Sequence, residues 1–163
     1  MNVVELEILG EKHIPELQEL LMRCSDYLAF QDGEPVKKDA AKDLLISRPD
    51  NVTIQDKIVY GIYQGQDHLL IGVVDIIMRF AGPDILSLVL LVIEPTFRGK
   101  GLGEVVHKLL EEWAHSNKFS RIRLGVLFDN EKGHRFWKRV GYEETGEIKP
   151  YLAHKFRVLE KAI

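Results

Sequence analysis

Arg98-Gly99-Lys100-Gly101-Leu102-Gly103 sets three alternating glycines beside two cations. They stand directly ahead of Leu102, Val105, Val106, Leu109, Leu110 and Trp113, which recur at helical spacing to about His115. Glycines remove side chains where a backbone must turn into a helix. The N–H groups of the first helical turn, Leu102 to Glu104, then lie open to an anion, and the positive end of the helix favours phosphate. Arg98 and Lys100 add mobile positive charge at the rim, so the predicted chemistry is capture of a diphosphate. Two nucleotide-binding patterns fail on the residues. A Walker A loop needs Gly-Lys followed by Ser or Thr, but Gly101 follows Lys100. A dinucleotide fingerprint starting at Gly99 or Gly101 needs a glycine where Glu104 or Val106 stands.

The elements that must position this loop follow from patterning. Val3 to Leu9 reads as a strand and Glu11 to Cys24 as a helix with Ile14, Leu17, Leu20 and Leu21 on one face. A segment containing Asp26, Tyr27, Phe30, Asp32, Gly33, Glu34 and Pro35 breaks the pattern. A second helix covers roughly Lys37 to Ser47 and stops at Pro49. Ile58–Tyr63 and Leu69–Met78 read as a hairpin around Gln64-Gly65-Gln66-Asp67. Ile85–Ile93 is a nearly unbroken apolar run, hence a buried central strand. After the loop and its helix come a strand at Arg121–Leu127, a helix at Asn130–Val140 capped by Asn130, and short strands from Gly141 to about Leu159. With no linker, repeat or low-complexity segment, residues 1–163 read as a single domain.

Arg-x-x-Gly-x-Gly after a strand that ends in a proline turn resembles the GNAT superfamily of N-acyltransferases. The likeness extends to Leu124–Leu127, Asn130, Gly133, Phe136-Trp137 and Gly141-Tyr142, and spans roughly Leu86 to Tyr142. It implies an α/β (α+β) fold, a mixed, mostly antiparallel twisted sheet of six to seven strands flanked by about four helices. It also implies acetyl-CoA as cosubstrate and transfer to a primary amine of a small molecule or peptide, by direct attack in a ternary complex. Leu91, Val92 and Ile93 would run along the pantetheine arm, their backbone N–H groups holding the thioester oxygen. Asn130 is carried over as a cofactor-side residue, and Gly133 leaves room for the arm.

Trp137 departs from the pattern. Many members hold there a tyrosine that protonates the departing thiolate, and an indole N–H is no useful acid near neutrality. An alkyl thiol with a pKa of about 8.5 leaves tolerably without one, and water, Tyr142 or Tyr151 can supply the proton. Trp137 is then a packing wall for the cofactor thiol. The acceptor amine must lose a proton, and Glu94 at the end of the central strand and Asp75 inside an apolar strand are the candidate bases. Tyr27 and Phe30 are candidate acceptor-binding residues. His107, His115 and His134 read as surface or cofactor-rim residues, and no close His/Asp/Glu pattern encodes a metal site. The competing readings are a CoA-binding sensor without turnover and a nucleotide-binding protein.

Composition narrows the partners. The chain has 163 residues, 45% of them hydrophobic, which is ample for one core. Cys24 is the single cysteine, so neither an intramolecular disulfide nor a cysteine zinc cluster is available. A net charge of −3 gives no general attraction to nucleic acid. Met1–Gly10 does not read as a signal peptide, and Leu86–Ile93 is too short to span a bilayer. A cytoplasmic protein with no membrane partner is the expectation. Acyl-chain length, acceptor and oligomeric state, a homodimer included, are not encoded in these residues.

Overall fold

A computed structural model describes residues 3–163. The β-branched runs pair as expected: β2 (Lys57–Gln64), β3 (Leu69–Met78) and β4 (Ile85–Ile93) form an antiparallel meander. β1 (Val4–Ile8) extends its outer edge. β5 (Arg121–Leu127) then joins β4 in parallel, and the hairpin of β6 (Glu143–Tyr151) and β7 (His154–Ala162) completes a sheet ordered β1-β2-β3-β4-β5-β7-β6. The family-implied fold is therefore present: seven strands among the described residues, antiparallel except at β4/β5.

Helices cover both faces. α1 (Ile14–Arg23) and α3 (Ala40–Ile46) bury Leu17, Leu20, Leu21 and Ala41 with Val59, Val73, Leu90 and Val92. On the opposite face α4 (Leu102–Ser116) buries Leu102, Val106, Leu110 and Ala114 against Ile62, Val74, Leu86 and Ile122, with α5 (Glu131–Arg139) beside it. Among the described residues, no helix is long and apolar enough to cross a membrane.

Three features differ from the sequence reading. The segment after Cys24 is a helix, α2 (Ser25–Asp32), closed by Gly33 at φ 73°. Its apolar residues run consecutively, Tyr27-Leu28-Ala29-Phe30, so helical periodicity was absent. The chain beyond Gly141 forms two nine-residue strands rather than several short ones. Finally, β4 carries a bulge: Asp75 pairs with Leu90 but Ile76 with Leu88, leaving Val89 as the extra residue. Ahead of it Leu86 and Leu88 face α4; beyond it Leu90 and Val92 face α1 and α3, and Leu91 and Ile93 face α4. One inserted residue re-aims the whole C-terminal half of the strand.

Candidate active site

The glycine loop turns sharply into α4 beside a small pocket. Gly99 and Gly101 sit at φ 74° and 78°, a left-handed geometry that L side chains rarely adopt, and Gly101 is the N-cap of α4. Among the described residues no side chain caps this fifteen-residue helix, so the N–H groups of Leu102, Gly103 and Glu104 open onto a pocket of about 200 Å³. Ile93, Phe97, Arg98, Gly99, Gly101, Leu102, Gly103, Glu104, Phe136 and Arg139 line it. A Cβ on Gly103 would lie 3.1 Å from the Phe136 ring, so this glycine lets α5 approach the start of α4. Lys100 stands over the Phe97 ring at 5.6 Å.

Arg98 is not the mobile rim cation expected. Its Nε donates to the Ile93 carbonyl at 2.6 Å, and its two Nη atoms hold both Asp26 oxygens at 2.6 and 3.1 Å. The Asp26 carboxylate raises the Arg98 pKa, and Arg98 holds Asp26 below its ordinary range, the side-chain hydrogen bond dominating in both cases. A second cation, which sequence reasoning missed, lines the pocket beside it. Arg139 of α5 donates from Nε to Glu104 at 2.9 Å. Its position seven residues after Lys132 carries no signal until α5 is packed beside α4.

β4 and β5 pair only over Ile85–Ser87 with Arg121–Arg123. Beyond Ser87 the two strands are unpaired, so among the described residues the β5-facing edge of Leu88–Ile93 is left without a strand partner. At one end of this open segment Ile93 touches the glycine-loop pocket. At the other, Leu88, Val89 and Leu90 line a second cleft of about 950 Å³, walled by Tyr27, Gln31 and Asp32 of α2 and by Tyr151 and Phe156 of the β6–β7 hairpin. Tyr151 donates its hydroxyl to Asp32 Oδ1 at 3.0 Å, tying two walls of this cleft together; burial, then Asp32, push its pKa to about 12. Phe156 lies on the backbone of Gly125, where an added Cβ would come within 2.4 Å of its ring.

The remaining candidates fall in different places. Tyr27 lines the cleft, and burial raises its pKa; Phe30 is 40% exposed and lines neither cavity. Asp75 also borders the cleft, but both its oxygens are held at 2.8 Å by Lys57 Nζ, with both side chains buried. Burial pushes Asp75 up to about 6, with Lys57 pulling it back. Glu94 accepts from the Thr96 hydroxyl at 2.8 Å, stands 3.6 Å from Arg23 and, next to Ile93 of the first pocket, itself lines neither cavity. Asn130 caps α5 by accepting from Gly133 N–H at 2.9 Å, and a Cβ on Gly133 would lie 2.4 Å from Asn130 Nδ2. The cap itself thus requires that glycine.

Trp137 packs edge-on against His107 and Tyr142, with ring centroids 5.9 and 5.3 Å apart. Tyr142 is 1% exposed, and its hydroxyl meets His107 Nε2 at 3.0 Å. Burial raises the Tyr142 pKa far above its ordinary value and lowers that of His107. His107 is therefore a core residue, not a rim residue, because its helical position faces the sheet rather than solvent. Glu5, Glu7 and His68 bring ligand atoms within 4.8 Å of one another at the sheet edge, a cluster distant sequence positions had hidden.

Residues 14–142 match the acetyltransferase (GNAT) family. The chain superposes on an acetyltransferase from Thermus thermophilus with a TM-score of 0.75 at 20% identity, over 100% of both chains. A spermidine N-acetyltransferase from Vibrio cholerae, in complex with CoA and spermine, gives 0.75 at 15% identity, covering 98% of this chain and 95% of that one. The Salmonella typhimurium acetyl transferase that modifies the N-terminal serine of ribosomal protein L7/L12 gives 0.76 at 16%, with 98% and 95% covered. No curated protein matches the sequence.

Proposed function

Because this acetyltransferase belongs to the GNAT family, we propose that it moves an acetyl group from acetyl-CoA to a primary amine held in the 950 Å³ cleft. One observation carries the reading. The strand edge left open beyond Ser87 runs from the glycine-loop pocket to the cleft, linking an anion cradle to an acceptor space. The residues present fit the donor: two left-handed glycines, an uncapped helix N-terminus and the nearby Arg139 suit a diphosphate. Acetyl-CoA supplies the thioester.

In this reading, the backbone N–H groups of Leu91 and Ile93, the alternate residues of β4 that face away from β3, receive the thioester oxygen and its developing negative charge, while that of Val92 points toward β3. Glu94, rather than Asp75, takes the acceptor's proton through water. Asp75 has both oxygens on the Lys57 ammonium, whereas Glu94 Oε2 has Arg23 only at 3.6 Å. The thiolate is protonated from solvent, since the Tyr142 hydroxyl is buried and engaged with buried His107. Tyr27 supplies part of the acceptor wall. Related structures name a polyamine and a ribosomal protein N-terminus as acceptors, which keeps both small amines and peptides in the panel.

The test is release of free CoA thiol from acetyl-CoA over a panel of small amines and peptides, beside calorimetry with acetyl-CoA. Binding with turnover on at least one amine is expected. Tight binding with no turnover across the panel would make the chain a CoA sensor; stabilisation by ATP or NAD but not CoA would refute the donor assignment.

A further inference from the structure

Arg98 and Asp26 lie 72 residues apart in sequence and form a bidentate pair at 2.6 and 3.1 Å. The pair joins two different parts of the site. Arg98 immediately precedes Gly99 and fastens the turn after β4 by donating to the Ile93 carbonyl, while lining the diphosphate pocket. Asp26 sits in the first turn of α2, the helix whose Tyr27, Gln31 and Asp32 wall the acceptor cleft. A carboxylate in that first turn also complements the helix dipole. A planar guanidinium gripped on three sides leaves little freedom to the Pro95–Arg98 turn, and a fork-to-fork pair fixes orientation as well as distance.

We propose that Asp26 is a positioning residue for the donor site: through Arg98 it pre-orders the glycine loop and couples that loop to the acceptor wall. The inference rests on the donor-site reading above. Without the carboxylate, the loop must be ordered at the moment of binding, and that cost appears as weaker affinity. By reciprocity, donor binding reports to α2.

The experiment is calorimetry with acetyl-CoA on the wild type, D26N, D26E, R98Q and D26N/R98Q, with hydrogen exchange of α2 in the presence and absence of acetyl-CoA. D26N should weaken binding about fivefold, the scale of a well-formed, partly exposed ion pair. R98Q should do at least as much, the double variant no more than R98Q, and D26E should recover most of the loss. Acetyl-CoA should slow exchange across residues 25–32 in the wild type and not in D26N. Unchanged or tighter binding by D26N would overturn the proposal, since Asp26 would then be a bystander or a competitor of the diphosphate for Arg98. Lower thermal stability of D26N with unaltered affinity and α2 protection would overturn it equally. Failure of the wild type itself to bind acetyl-CoA would instead refute the donor-site reading, and this inference with it.

Discussion

Replacing Lys57 with Met would leave the Asp75 carboxylate beneath α3 without its cation. Both side chains are almost wholly buried, at 1% and 3% exposure, and the ammonium reaches both oxygens at 2.8 Å. Removing one partner of such a pair costs about 3–5 kcal/mol, whereas replacing both by apolar groups of similar size is often neutral. For a chain of this length K57M should therefore melt about 10–15 °C lower, with D75N comparable, and K57M/D75L should recover most of the loss. The pH dependence gives a second readout. Asp75 already titrates near 6, above its ordinary 3.8, because burial outweighs Lys57. Its native state therefore binds more protons than the unfolded chain between those values, so this group's contribution falls as pH rises through the window. Removing Lys57 takes away the only influences that lower the pKa, so the window extends upward. The K57M deficit, read by denaturant unfolding, should be smaller at about pH 5.5 than at about pH 8. A deficit that is flat across this range, or a K57M protein as stable as the wild type at pH 8, would refute the reasoning.

Gly101→Glu should abolish acetyl-CoA binding in calorimetry, because it forces a side chain into φ 78° and puts negative charge in the anion cradle. Gly125→Ala should raise the KM for the acceptor while leaving acetyl-CoA affinity intact, since the added Cβ meets the Phe156 ring at 2.4 Å on the cleft side. Glu94→Gln should lower kcat and alter its pH profile with little change in acetyl-CoA affinity; an unaltered profile would exclude it as the base. Asn130→Ala and Gly133→Ala should each cost about 1 kcal/mol by breaking one cap, and the double variant hardly more than the worse single.

The turn of the glycine loop into α4 was legible because it is local: three glycines, a following amphipathic stripe and a preceding proline turn all lie close together along the chain. The order of strands was legible for the same reason, since β-branched runs and turn residues alternate along the chain. What the sequence concealed is set by partners distant along it. Arg98 reads as a free cation until α2 brings Asp26 to it across 72 residues. Asp75 reads as a base until the β2/β3 register sets Val59 opposite it and Lys57 two residues away on the same face. Tyr142 reads as an acid until α4 buries His107 against its hydroxyl. In each case the chemistry-bearing side chain was identified by type, and its partner is one that only tertiary packing supplies. The Val89 bulge shows the same division in the backbone. Ile85–Ile93 is apolar on both faces, so no alternation marks the slip. Yet that slip lies where β4 leaves β5, and it turns Leu90 to the face bearing α1 and α3 and Leu91 to the face bearing α4. Without it Leu90 would stay in phase with Leu86 and Leu88 on the α4 face, and Leu91 would turn toward α1 and α3.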